Sequence, residues 1–288
     1  MQASNFSLTG CDGVKISLDL ERLRQRFESG EAFSFFAYVE GTKIPVFLKK
    51  SDRYHEVLFV AYNGAVDRNR SQDGVVFQRS TWADEINASF IGIADPTLLI
   101  HQRLSLGWGQ VDGKKFAPIL YLKLIEFLRE VLGLPAADRT LHFGSSAGGY
   151  QAFCTSVLDK RSRNLTNNPQ FDWFAYDLKS RVQAVQTTVL KDSNGTRTLL
   201  NEPWRVRAWE LVVSNRYFPR SETYVNVASY NDFEIQYMGM IRSLRAIDFV
   251  DTTWRNEFIF YRDPVAKHSP LAKVPALASI NRSLGFLR

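Results

Sequence analysis

The stretch from Thr140 to Leu158 constrains this chain more tightly than any other. A strand-like run, Thr140 to Phe143, leads into Gly144-Ser145-Ser146-Ala147-Gly148-Gly149, and the residues from Ala147 to Leu158 follow helical periodicity. A strand that becomes a helix within so few residues leaves little room for side chains at the corner, and glycines relieve that crowding. Gly144, Ser146 and Gly148 spell G-x-S-x-G. Between a strand and a helix this pattern is a nucleophile elbow, with Ser146 at the apex of a strained turn. The helix N-terminus, through the N–H of Ala147, then faces the place where negative charge develops on a carbonyl oxygen. A plain βα turn or a phosphate-cradling loop would also satisfy the pattern, whereas G-x-G-x-x-G, the dinucleotide fingerprint, is absent here.

The rest of the chain supplies a sheet for that turn. Val57 to Tyr62, Ser89 to Ile93, Thr140 to Phe143, Thr223 to Ala228 and Glu257 to Tyr261 read as strands. Pro118 to Leu132, Ala147 to Leu158 and Phe233 to Ile247 read as helices, and the alternation predicts an α/β fold with a mostly parallel sheet. Ahead of them, Phe33 to Val39 and Ile44 to Leu48, joined by Glu40-Gly41-Thr42-Lys43, predict an antiparallel hairpin. No linker or internal repeat divides residues 1–288, which read as one domain. Within it, residues 159–222 mix a basic cluster (Lys160, Arg161, Arg163) with aromatics (Phe171, Trp173, Phe174, Tyr176) and read as a cap-like insertion over the sheet's C-terminal edge. Ligands bind at that edge in open α/β sheets.

A serine at its own pKa is a poor nucleophile, so the elbow calls for a histidine base and an acid to orient it. Of the four histidines only His268 follows Ser146, in a loop after the last strand. Asp232 follows the preceding strand, with Glu234 beside it and Asp248 and Asp251 further along as competing acids. A second oxyanion donor belongs in the loop after Tyr62, where Asn63 and Gly64 mark a turn and a backbone N–H at Gly64, Ala65 or Val66 comes within reach. Arg68 and Arg70, in the same loop, are candidates for binding an anionic substrate or a phosphate-bearing donor.

Lysine and arginine exceed aspartate and glutamate by 36 to 30, a net charge of +6 that favours encounter with anions without naming them. No basic block, helix-turn-helix or finger pattern accompanies it, so nucleic acid is not the expected partner. Two cysteines, Cys11 and Cys154, can build neither a disulfide scaffold nor a metal site, and no metal is expected. There is no secretory signal pattern and no transmembrane segment, and the expectation is a cytoplasmic protein.

Taken in order, NGA at 63–65, LGWGQ at 106–110, GSSAGGY at 144–150, NNPQ at 167–170, SYND at 229–232 and HSP at 268–270 resemble a branch of the α/β-hydrolase fold found in bacterial surface-glycan biosynthesis. That branch includes capsule polysaccharide O-acetyltransferases of the meningococcal serogroup A type and the glycan O-acetyltransferase component of the accessory Sec system. The elbow is common to α/β-hydrolases at large, whereas Asn168-Pro169-Gln170 and Asn231-Asp232 carry the likeness to the branch. The resemblance implies acetyl-CoA as co-substrate, Ser146 as the acetyl-accepting nucleophile, Asp232 as acid and His268 as base. It further implies a bacterial polysaccharide acceptor, for which the basic charge suggests an anionic polymer, and peripheral association with a capsule assembly complex. An esterase or glycan deacetylase would use the same triad with water as acceptor. A non-catalytic reading has Trp173, Tyr176 and Trp204 stacking on sugar rings of a bound glycan.

Overall fold

The computed structural model describes residues 13–245 and 256–288. Cys11, Asp248, Asp251 and the end of the predicted helix at 246–247 lie outside these residues. Among the described residues nine strands make one sheet: β1 (Val14–Ile16), β2 (Phe33–Val39), β3 (Thr42–Lys49), β4 (Leu58–Tyr62), β5 (Ser89–Ile93), β6 (Thr140–Ser145), β7 (Arg163–Asn167), β8 (Arg220–Asn226) and β9 (Glu257–Tyr261). The spatial order is β1-β2-β3-β5-β4-β6-β7-β8-β9. The pairs β1–β2, β2–β3 and β3–β5 are antiparallel, and the remaining pairs are parallel. The helices are α1 (Leu20–Glu28), α2 (Pro96–Ile100), α3 (Ala117–Leu132), α4 (Ala147–Leu158), α5 (Lys179–Val185), α6 (Thr196–Asn201), α7 (Ala208–Asn215), α8 (Met238–Leu244) and α9 (Lys273–Gly285).

The β2–β3 hairpin turns on Glu40 and Gly41 alone, with φ of 49° and 76°. Two left-handed residues give a turn whose twist matches the flanking strands, so β3 starts at Thr42 rather than Ile44. In the parallel part both faces are covered, and β4 is buried at every residue. Leu58, Val60 and Tyr62 pack with Leu124 and Leu128 of α3. Phe59 and Ala61 pack on the opposite side with Ile280 and Leu284 of α9.

The expected insertion over 159–222 is corrected by the sheet: β7 lies inside that stretch, between β6 and β8, and β8 opens at Arg220. The excursion from the sheet therefore occupies 168–219 and carries α5, α6 and α7. Apolar periodicity could not reveal β7, because it reads Arg-Asn-Leu-Thr-Asn yet is buried throughout. Its polar side chains meet polar partners on β8: Asn164 with Ser221 at 3.4 Å, Thr166 with Thr223 at 3.2 Å, and Arg163 with Glu222 at 3.4 Å. Buried polar groups persist where such partners exist. No helix among the described residues is long and apolar enough to cross a membrane.

Candidate active site

Ser146 joins β6 to α4 with φ 56° and ψ −125°, a conformation that side chains rarely adopt and that costs of order 1–3 kcal/mol. Its backbone is held from three sides: its N–H donates to Asn167 O, and its carbonyl accepts from Gln170 and Tyr150. A Cβ at Gly144 would lie 2.1 Å from Gly148 O, and one at Gly148 would lie 2.5 Å from Tyr62 O. These two positions tolerate no side chain, and that is how the elbow packs tightly against the loop after β4.

From this apex a row of hydrogen bonds crosses the C-terminal edge of the sheet. His268 Nε2 lies 2.8 Å from Ser146 Oγ, and His268 Nδ1 lies 2.7 Å from Asp232 Oδ1. Asp232 is buried in the first turn of the π-helical segment Asn231–Tyr237 that follows β8. Its Oδ2 has no hydrogen-bond partner among the described residues, so its hydrogen bonding goes to the histidine through Oδ1. Of the two acids just past β8, Asp232 rather than Glu234 holds the ring.

The His268 loop is fastened by three asparagines. Asn226 Nδ2 donates to Asp263 O at 2.7 Å and to Lys267 O at 2.8 Å. Asn168 Nδ2 reaches His268 O and Ser269 O at 3.4 Å, while its Oδ1 accepts from the Asn226 N–H. Asn167 Oδ1 accepts from the Leu271 N–H. Asn168 itself has φ 45°, the left-handed region that asparagine enters more readily than most residues. On the other side of the ring stands Tyr176, its centroid 5.5 Å from that of His268, with burial pushing its phenol pKa up so that it stays protonated.

Ser146 and His268 open onto a cleft of about 560 Å³ whose wall includes Gly64 and Ala65. The two expected amides at that wall differ. Gly64 N–H donates to Gln78 Oε1 at 3.2 Å, and Gln78 Nε2 donates to Ala65 O at 3.1 Å, so one glutamine side chain clamps the turn. The Gly64 amide is thereby occupied, which corrects the expectation that it donates to an oxyanion. Among the described residues no acceptor takes the N–H of Ala65 or of Ala147. A Cβ at Gly64 would lie 3.1 Å from Ser145 O and 3.9 Å from Ala147 N, so Gly64 serves close approach instead.

The two arginines expected at the site are elsewhere. Arg68 donates to the carbonyls of Leu98, His101, Leu104 and Gln72, tying its loop together with every branch of its guanidinium. Arg70 is exposed and lies 3.7 Å from Asp67. Neither lines the cleft, whereas Arg79 and Lys267 do. Gln78 and Arg79 sit in a long loop without periodicity, where no sequence signal marks them. Trp173 is wholly buried and stacks on Trp108 at 4.8 Å, so it offers no face to a sugar. Cys154 is buried in α4, and burial pushes its thiol up, away from the reactive thiolate. His142, a buried residue of β6, does not line the cleft either; its ring bonds Tyr62 and Asp159.

A strand order with this parallel run, an elbow after β6, an acid after β8 and a histidine after β9 define the α/β-hydrolase fold. Solved structures similar to this chain include the capsule O-acetyltransferase of Neisseria meningitidis serogroup A, as a histidine-to-alanine variant in complex with CoA: 11% identical, TM-score 0.59, covering 92% of this chain and 100% of that one. The glycosylation-associated protein (Gap123) complex from Streptococcus agalactiae is 14% identical with a TM-score of 0.57, over 85% of this chain and 45% of that one. The carboxylesterase EstE1, cloned from a metagenomic library, is 14% identical with a TM-score of 0.55, over 94% and 98%. At these identities the likeness speaks for the fold. No protein-family model matches the sequence, and no curated protein matches it.

Proposed function

We propose that this protein is a serine-dependent O-acetyltransferase that moves an acetyl group from acetyl-CoA to a hydroxyl of a bacterial surface polysaccharide, acting in the cytoplasm beside a capsule assembly complex. The observation that carries the reading is the hydrogen-bonded row Ser146–His268–Asp232 at the mouth of the cleft. Supporting it are the order of motifs from Asn63 to Pro270 and the fold shared with a capsule O-acetyltransferase.

In the first half-reaction His268 Nε2 takes the Ser146 hydroxyl proton as Oγ attacks the thioester carbonyl carbon. The tetrahedral oxyanion leans on the N–H groups of Ala147 and Ala65. As the C–S bond breaks, Nε2 returns the proton to the leaving sulfur, leaving acetyl-Ser146 and a free thiol. In the second half-reaction a sugar hydroxyl gives its proton to Nε2 and attacks the acetyl carbon, and collapse restores the Ser146 hydroxyl. Asp232, acting through Nδ1, keeps the imidazole oriented and stabilises its charged form.

One observation favours a second reading. The His268 side chain is 28% exposed, so water reaches the base and can take the place of the sugar hydroxyl, making the protein an esterase or glycan deacetylase. Intact-mass analysis after mixing with acetyl-CoA tests the first step: an acetyl adduct on the wild type and none on Ser146→Ala is expected. An adduct persisting in Ser146→Ala, or none in either, overturns the acetyl-serine route.

A further inference from the structure

We infer that the cleft seats an anionic group of its substrate, a phosphate or a carboxylate, on the guanidinium of Arg79, which makes this residue a determinant of substrate charge. The inference rests on Ser146 being the acylated residue and names the chemistry of what lies beside it.

The residues lining the cleft include two cations, Arg79 and Lys267, and no aspartate or glutamate. Asp232 does not offset them, because it is buried behind His268 and committed to it. Among the described residues Arg79, Arg163 and Arg205 each bury an unpaired N–H, yet Arg163 and Arg205 have a carboxylate partner through another, and Arg79 has none. Arg129 pairs with both oxygens of Asp159, Arg205 donates to the carbonyls of Gln110 and Asp112 and pairs with Glu202, and Arg68 is spent on four carbonyls. For Arg79 no carboxylate or carbonyl among the described residues accepts any N–H, and its Nε is buried without a partner. Burial accordingly pushes its pKa down with no nearby carboxylate to oppose the shift.

What the protein does give Arg79 is position. The guanidinium carbon stands 4.4 Å from the Trp82 ring centroid, a stack that covers one face and leaves the in-plane donors free. Its backbone is left-handed, φ 73°, directly after Gln78, the residue that clamps Gly64 and Ala65. The turn that fixes the oxyanion loop thus also fixes Arg79 at the cleft. A guanidinium fork with its edge unpaired matches the oxygens of a phosphate or carboxylate, in two-point contact. Two sources of that chemistry exist: the phosphates of the acyl donor and the acidic groups of an acceptor polymer.

The test compares kcat/KM for charge-paired substrates in wild type, Arg79→Gln, Arg79→Lys and Arg70→Gln. The pairs are 4-acetoxybenzoate against phenyl acetate, acetyl-CoA against S-acetylpantetheine, and polygalacturonate against its methyl ester as acceptors. In wild type the anionic member is favoured in at least one pair. In Arg79→Gln that preference falls about 10- to 100-fold, as expected for a lost hydrogen-bonded charge, and Arg79→Lys keeps part of it. The donor pair or the acceptor pair in which it falls identifies the source. Equal preferences in wild type and Arg79→Gln across all three pairs overturn the inference. So does an equal fall in Arg70→Gln, which removes the same charge outside the cleft and would make the effect one of net field. The aryl esters need only Ser146-dependent hydrolysis, so their result stands even if acetyl-CoA is not the donor; conversely, Ser146-independent turnover would fault the acyl-serine reading itself.

Discussion

His268 bridges Ser146 and Asp232 with both ring nitrogens engaged, Nε2 at 2.8 Å from the serine Oγ and Nδ1 at 2.7 Å from Asp232 Oδ1. A carboxylate at Nδ1 accepts the proton there and leaves Nε2 free to take the one from serine. Replacing Asp232 by Asn puts a donor opposite Nδ1 and favours the wrong tautomer. We expect kcat for 4-nitrophenyl acetate to fall by about 10⁴-fold with the fold intact. A fall below tenfold would mean that Asp232 does not orient the base.

Asn168 acts on the same histidine from behind, through the carbonyls of His268 and Ser269 and the amide of Asn226. It touches no reacting atom in this arrangement and is a positioning residue. Asn168→Ala is expected to lower kcat by about 10- to 100-fold with KM little changed, the pattern of a misplaced catalytic group. A rise in KM at constant kcat would instead place Asn168 in substrate binding.

The elbow's steric demand separates two glycines. At Gly148 a Cβ would meet Tyr62 O at 2.5 Å and Asn63 C at 3.0 Å, both backbone. At Gly133, φ 63°, a Cβ meets nothing within 4 Å. Gly133→Ala should cost about 1 kcal/mol from left-handed strain alone and leave ester hydrolysis intact. Gly148→Ala should cost about 1–3 kcal/mol through overpacking and also displace the Gly64–Ala65 loop, abolishing most activity. Urea melts and initial rates on the two variants check both halves; a fully active Gly148→Ala would contradict the packing.

Away from the cleft, Asp159 is held by His142 at 2.9 Å and by both branches of Arg129. Burial raises its pKa, but the bonds from His142 and Arg129 outweigh that and hold it at about 2. His142 is lowered, chiefly by burial, and remains neutral near pH 7. Both shifts act in one direction. The folded state binds fewer protons than the unfolded chain, first as pH drops below the usual histidine range and then between about 4 and 2. Stability is therefore full near neutrality and is lost stepwise on acidification, with Asp159 contributing about 2 kcal/mol above pH 4. In Asp159→Asn the melting temperature should be lower than wild type at pH 7 and the gap should narrow towards pH 2. A gap that widens on acidification would contradict the network.

Much of this was legible because the legible parts were apolar or steric. The elbow was readable from glycines that no side chain can replace, and the histidine from chain order among only four candidates. The strands β5 and β9 fell where the apolar runs placed them. The hidden strand was β7, whose burial is carried by Arg163, Asn164, Thr166 and Asn167 bonding sideways to β8. Its last residue and the next, Asn167 and Asn168, turned out to hold the histidine loop, a role no periodicity encodes. The loop after β4 misled in the other direction: Arg68 and Arg70 stand near Gly64 in sequence, yet the chain folds Arg68 inward onto carbonyls. The arginine that lines the cleft is instead Arg79, further along an irregular loop.

Acyl transfer through Ser146 is read out by thiol release from acetyl-CoA, followed over time for wild type and Ser146→Ala with and without a panel of anionic bacterial polysaccharides. Release that needs both Ser146 and a particular polymer is the expected result. Release that no polymer accelerates, alongside Ser146-dependent cleavage of an aryl acetate, would contradict transfer and leave a hydrolase.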